Sequence, residues 1–533
     1  MNVDLTIGLT AMELPFYLQA PDFRVHEAEL RRLSPAWLHG EVYARESPNG
    51  VALVSRYGTR TYAQLHDNAN RMANALVNLG LRKGDAVALM CRNRPEFVEV
   101  LLASMRLGLR LTPVSTQLTR DEAAYIVSDC DAKHLFVEVG LPGDSLDGVP
   151  LTHIGSLAYE ALLAQSHPAN PPDAGGGMLM PYTSGTTGKP KGVRRVTSDV
   201  FFPQFAGTLS NYRPTDVQLC AGPAYHAAPL LIDVRWPVVS GVPIVMLDKW
   251  DSEQVLATIH HYKVSCAHFV PTMFRRLLDL PAHVRTKYDL SSLRHVVHGA
   301  APCSRELKQA TIDWLGPVLW EYYGATEGGD GINVNAQDWL KHPGTVGRLL
   351  PEFGHRVVDA DGKTCAPGQV GRVWLNAQQA NNFCYHKDEE KTAQAFQLGG
   401  LLLGDEGYLD DEGWLFLTGR SAEVIISGGV NIYPVEIDDV LRRHPAVADA
   451  ACAGAPDDEW GERVVALVVR ITSAEGDDVA VRESLIAHAS ANLARYKCPR
   501  DILFVAALPY SATGKLLRSQ IRNQFWAGQE RKI

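Results

Sequence analysis

The densest chemistry in the chain lies in YTSGTTGKPKGV, Tyr182 to Val193. Thr183, Ser184, Thr186 and Thr187 supply hydroxyl donors, and Gly185, Gly188 and Gly192 let the backbone turn so that several N–H groups face one anion. Lys189 and Lys191 add positive charge. Such a loop suits the β- and γ-phosphates of a nucleotide; the plain alternative is a flexible polar connection. It is not a Walker loop, because the G-x-x-x-x-G-K-[ST] spacing fails and Pro190 follows the lysine where a Mg2+-binding hydroxyl would stand.

Further along the chain come HGAAP (His298 to Pro302), YYGATEGG (Tyr322 to Gly329) and GDEGYLDDEGWLFLTGR (Gly404 to Arg420). They are followed by SGGVNIYPVEID (Ser427 to Asp438) and LPYSATGKLLR (Leu508 to Arg518). Singly, Glu327 reads as a surface carboxylate, Asp405 as a turn residue and Lys515 as a solvent-facing lysine. Their types nevertheless suit nucleotide chemistry, since a hard cation takes oxygen ligands and one carboxylate can accept two vicinal hydroxyls.

In this order and spacing, from about Arg56 to Arg518, the motifs resemble those of the adenylate-forming superfamily, above all its fatty-acyl- and aryl-CoA synthetases. The resemblance implies that the glycine loop, Gly299, Ala300, Ala301, Pro302, Tyr322, Tyr323, Gly324 and Thr326 surround the nucleotide, with Tyr323 against the adenine. It implies that Glu327, with Thr186, holds Mg2+, that Asp405 and Arg420 bind the ribose, and that Lys515 is the mobile catalytic lysine. Gly428 and Gly429 would admit the thiol of CoA, or form a simple hairpin turn.

The chain departs from the family pattern at three places: Leu401 to Leu403 replace an aromatic residue and Thr before Asp405, Ala422 stands at the hinge, and Tyr510 stands where a basic residue is common. The resemblance divides the chain into an adenylation domain, 1–420, a hinge, 421–423, and a small domain, 424–533. Its reaction makes an acyl-adenylate from ATP and a carboxylic acid, then passes the acyl group to CoA. The acyl pocket would be formed by His226, His298, Gly299, Gly328 and Gly329. No conspicuous carboxylate anchors an amino group, Asp233 and Asp330 being the candidates, so a hydrophobic acid is expected, a medium- or long-chain fatty acid first and an aryl or steroid side-chain acid second. A carrier-protein-loading enzyme and a non-catalytic nucleotide-binding regulator are the alternatives.

These residues must be positioned by regular elements. Thr61 caps a helical pattern that stops at Gly80, Ala86 to Cys91 reads as a buried strand, Pro95 to Leu107 as a helix and Arg110 to Val114 as a strand. The rhythm recurs at Val242 to Leu247, Ser252 to Tyr262 and Cys266 to Val270, so the fold class is α/β with helix-covered sheets. After Val370 shorter strands and Gly-rich turns predict a β-rich subdomain, and beyond Arg420 a small α+β module follows, with a strand at Val464 to Val469 and a helix at Val481 to Leu493.

The chain's 533 residues leave ample material for a large core, at 46% apolar and 21% charged content. A net charge of -9 gives no basic field for a nucleic-acid partner. The nine cysteines are scattered, with no C-x-x-C pair, and read as reduced core residues of a cytoplasmic protein. No apolar run approaches the roughly 18 residues of a membrane span, and the N-terminus, with Asp4 and Glu13, is unlike a signal peptide. The sequence leaves the oligomeric state open, a homodimer included.

Overall fold

The computed structural model describes Leu18 and residues 21–172, 175–183, 190–195, 209–328, 332–376, 383–420, 423–427, 430–457, 460–471, 476–511 and 514–527. It separates into two compact units: Met1–Ala300 with Leu307–Gln337 and Ala380–Gln394, and Ala301–Glu306 with Asp338–Gln379 and Ala395–Ile533.

The first unit contains two sheets of the helix-covered kind. One is wholly parallel and runs in the order Leu151–Ile154, Ala132–Glu138, Ala86–Met90, Arg110–Pro113, Met178–Leu179. The other has eight strands, in the order Asn333–Asn335, Leu319–Tyr322, His295–His298, Cys266–Phe269, Gln218–Cys220, Ile244–Met246, Val51–Ser55, Gly58–Thr61. Its two edge strands are antiparallel and its interior is parallel. Parallel strands buried on both faces need apolar runs, which is why AVALM is buried at every position.

The covering helices follow local chemistry. Tyr62–Asn78 begins at a capping box in which the Thr61 hydroxyl accepts from Gln64 N at 3.2 Å and Gln64 Oε1 accepts from Thr61 N at 3.0 Å. Pro95–Arg106 starts with Pro95, where the missing N–H costs nothing, and is buried along its whole length. Its buried Glu99 accepts from Arg60 at 2.7 Å, Asn68 at 2.8 Å and Tyr159 at 2.8 Å, so the carboxylate is fully met.

A small antiparallel sheet, Tyr182–Thr183, Lys191–Arg195 and Phe383–Tyr385, completes the first unit. The second unit holds an antiparallel sheet ordered Gly347–Arg348, Trp414–Arg420, Gly400–Leu409, Gly371–Asn376, Arg356–Val358, which is the predicted β-rich part. It also holds a mixed sheet in which the Val447–Asp457 and Gly461–Arg470 strands pack Cys452, Val464 and Ala466 against Ile437, Leu441 and Leu485. The predicted strand and helix are observed as Gly461–Arg470 and Asp478–Asn492.

All nine cysteines are free thiols. The core reading holds for Cys91, Cys130, Cys220, Cys266 and Cys452, whereas Cys303, Cys365, Cys384 and Cys498 are only partly buried, because the last four fall on loops or at strand edges. Among the described residues no helix is long and apolar enough to cross a membrane.

Candidate active site

Three stretches distant in sequence meet in the first unit. Thr183 lies opposite Lys191 in antiparallel register, so the two strands clasp the glycine loop at its ends. Ser184, Gly185, Thr186, Thr187, Gly188 and Lys189 lie outside the described residues. Gly192 packs tightly: a Cβ there would stand 3.2 Å from Met180, Tyr182 and His386.

The strand leaving the loop pairs on its other edge with Phe383–Tyr385, placing Tyr385 opposite Val193 and Phe383 opposite Arg195. From this edge Asp388 reaches back to Lys191 at 2.8 Å. Burial alone would lower the Lys191 ammonium, but the Asp388 carboxylate outweighs it and raises it. Lys391, by contrast, is lowered by burial and by its neighbour Lys191. One carboxylate thus stands between two lysines.

The TEG segment arrives at the same place. Leu319–Tyr322 ends the strand, Tyr323 N bonds Ile332 O at 3.0 Å, and Ala325 and Gly328 close a turn by reciprocal backbone bonds of 2.7 and 3.2 Å. Arg195 donates to the carbonyl of Thr326 at 3.4 Å. Glu327 is 9% exposed and accepts the Tyr385 hydroxyl on Oε1 at 2.8 Å. Burial and the Glu327 charge both hold the Tyr385 phenol well above its ordinary range.

Beside this lies the end of His295–His298. A Cβ on Gly299 would stand 2.6 Å from the Tyr322 ring and 2.6 Å from its carbonyl oxygen, so only glycine fits. Ala300 follows in the left-handed region, φ 64°, a conformation that costs an alanine roughly 1–2 kcal/mol. Ala301 and Pro302 group with the second unit.

Tyr322 is tethered from below: its hydroxyl lies 3.3 Å from His268 Nε2, and His268 Nδ1 lies 3.7 Å from Asp233, itself held by Gln218 at 2.8 Å. Burial pushes Asp233 up to about 6. His298 is fully buried against Phe274, with neither ring nitrogen bonded among the described residues. His226 precedes the short helix Ala227–Pro229 and packs edge-on against Tyr225.

In the second unit Asp405 and Arg420 face each other across the Gly400–Leu409 and Trp414–Arg420 strands, and Arg420 Nε donates to Asp405 at 3.0 Å. Lys515 is exposed at the mouth of a tight turn. Gly514 there adopts φ 73°, Ser511 N bonds Lys515 O at 2.8 Å, and Lys515 N bonds Ser511 Oγ at 3.0 Å. At the foot of the turn Arg518 is buried. It donates to Cys452 O at 2.6 Å, Asp438 at 2.7 Å and Glu423 at 3.1 Å. Tyr510 anchors the other arm by donating to Asp449 at 2.6 Å. Gly329, Gly428, Gly429 and Ala422 lie outside the described residues.

Tyr385, Asp388, Lys391 and Arg195 were not singled out by sequence. The only signal for Arg195 is its place just after the glycine loop.

Residues 41–381 match the AMP-binding enzyme family and residues 436–515 its C-terminal domain. A fatty acid–[acyl-carrier-protein] ligase, ScoC, of Streptomyces coeruleorubidus is 32% identical over 96% of this chain and 99% of its own length. A 2-succinylbenzoate–CoA ligase of Bacillus pumilus is 32% identical over 92% and 98%. Among solved structures, the anthranilate CoA ligase AuaEII in complex with anthranoyl-AMP matches with a TM-score of 0.81 at 26% identity, covering 92% of this chain and 97% of that one. The chain belongs to the AMP-binding enzyme family: it is an AMP-forming ligase of the adenylate-forming superfamily.

Proposed function

We propose that this protein joins a hydrophobic carboxylic acid to the thiol of CoA through an acyl-adenylate. The observation that carries this reading is the meeting of the glycine-loop strand, the TEG turn and Glu327 at one edge of the small sheet. In the first step the acid's carboxylate oxygen bonds the α-phosphorus of ATP while the bond to pyrophosphate breaks. In the second, the thiolate attacks the acyl carbon and AMP leaves.

The glycine loop, with Thr183, Ser184, Gly185, Thr186, Thr187, Gly188, Lys189 and Lys191, grips the phosphates. Gly299, Ala300, Ala301, Pro302, Tyr322, Tyr323, Gly324 and Thr326 enclose the adenosine, Asp405 and Arg420 take the ribose, and Lys515 neutralises the phosphates during adenylation. Gly428 and Gly429 line the thiol path. The chain works as a large adenylation part, 1–420, and a small one, 424–533, turning about residues 421–423.

Mg2+ fits this donor set as a guest of the nucleotide. It would bind through substrate phosphates plus one or two carboxylates, of which Glu327 offers one. When bound it would spread the charge of the phosphates; Glu327 and Thr186 would hold it.

A fatty acid is the reading taken from sequence. An aryl acid is the second reading, and the flat Tyr322 ring, which lies directly on Gly299 with its hydroxyl 3.3 Å from His268, supports it. A panel of fatty and aryl acids, assayed for acid-dependent pyrophosphate release and then for thioester formation with free CoA or a holo carrier protein, tests all of this. Turnover with a hydrophobic acid and free CoA is expected. Release with no hydrophobic acid at all would overturn the proposal.

A further inference from the structure

We infer that Tyr385 is a positioning residue whose hydroxyl fixes the Glu327 carboxylate for the cation it holds. This rests on the assignment of Glu327 made above and extends it to a residue outside every motif. A glutamate has three rotatable side-chain bonds, and the backbone bonds that close the Ala325–Gly328 turn around Glu327 do not by themselves fix any of them. The restraint comes from Tyr385, which donates to Oε1 at 2.8 Å.

Tyr385 can hold Glu327 because it is itself held. Its backbone is paired opposite Val193, and its N–H bonds Thr392 Oγ1 at 2.9 Å. Its ring packs edge-on against Phe383 at 5.5 Å and lies 5.5 Å from the Lys391 ammonium. Three residues on, Asp388 holds Lys191 at 2.8 Å. One short segment therefore addresses both the carboxylate of the TEG turn and the lysine that ends the glycine loop. Hydrogen-bond partners of metal-holding side chains typically matter by about 10- to 100-fold in metal affinity.

Tyr385→Phe keeps the ring and removes only the hydroxyl. In calorimetric titrations of ATP at increasing Mg2+, this variant should need about 10-fold more Mg2+ for half-maximal enhancement of ATP binding, with only a slight fall in melting temperature. In a Glu327→Gln background the same change should add nothing, since the hydroxyl acts only through the carboxylate. Asp388→Asn, which releases Lys191 and leaves Tyr385 intact, should weaken ATP binding equally with and without Mg2+.

An unchanged Mg2+ requirement in Tyr385→Phe, alongside a shifted one in Glu327→Gln, would overturn this inference alone. No shift in Glu327→Gln would overturn the Glu327 assignment and the inference with it. An Mg2+-specific effect of Asp388→Asn matching that of Tyr385→Phe would assign the effect to the fold of the segment and overturn the role of the hydroxyl.

Discussion

The two units present their charged groups in opposite ways. In the first, Lys191 and Glu327 are partly or fully buried and each is gripped by a neighbour, Asp388 and Tyr385, on a segment fixed by backbone pairing. In the second, Lys515 stands exposed on a tight turn whose feet, Arg518 and Tyr510, are anchored by carboxylates. In the proposed function, a framework that receives phosphates in one geometry benefits from restraint at the side chain itself. Under the same proposal, a lysine that arrives and leaves benefits from a rigid base and an accessible tip.

The contrast breaks most sharply at Arg518. Arg518→Met leaves Asp438 buried without its cation and should cost the second unit about 3–5 kcal/mol. Denaturant unfolding followed by hydrogen exchange around Asp438 and Cys452 checks this, with protection in the first unit unaltered.

Acid should separate the units in the other direction. Burial drives His39 and His66 down to about 3 and His134 to about 4, all in the first unit. Each folded value lies below the unfolded one near 6.5, so between the two the unfolded chain binds the extra proton and stability falls as pH drops. The loss is at most roughly 1.4 kcal/mol per pH unit per ring. Asp233, raised to about 6, works the opposite way below that pH and offsets part of the loss. In the second unit Asp439 is likewise raised to about 6 by burial, which favours the folded state in acid. Hydrogen exchange at pH 7 and pH 5 should therefore show protection lost first in the first unit.

The smallest effect belongs to Tyr510→Phe, which removes the bond to Asp449 and should cost about 1 kcal/mol. Its thermal midpoint should fall slightly while Lys515 remains competent. Tyr510 is thus a support for the turn, which gives a structural reason for an aromatic residue where a basic one is common.

What was legible in sequence was local. The Thr61 cap, the buried AVALM strand and the helix opening at Pro95 follow from spacing and caps within a dozen residues, and they are observed nearly as read. The glycine loop and Glu327 announce themselves by residue type. Tyr385 and Asp388 do not, because FCYHKDEE has neither periodicity nor glycine, and the Asp388 bond to Lys191 spans 197 positions. Arg518 reads as the last letter of a motif, while its importance lies in Asp438 and Cys452, which the packing of the Pro434–Arg442 and Arg518–Trp526 helices against the Val447–Asp457 strand brings near. The cysteine reading failed at Cys303, Cys365, Cys384 and Cys498 for the same reason: composition says nothing about which loop reaches the surface.

The central claim is that the exposed Lys515 serves the phosphates gripped by the first unit, and only in adenylation. Acid-dependent ATP–pyrophosphate exchange by Lys515→Ala, measured beside thioester formation from a presynthesised acyl-adenylate and CoA, tests it most directly. Exchange should fall by about 100- to 1,000-fold while thioester formation stays within a few fold. Equal loss of both half-reactions would contradict it.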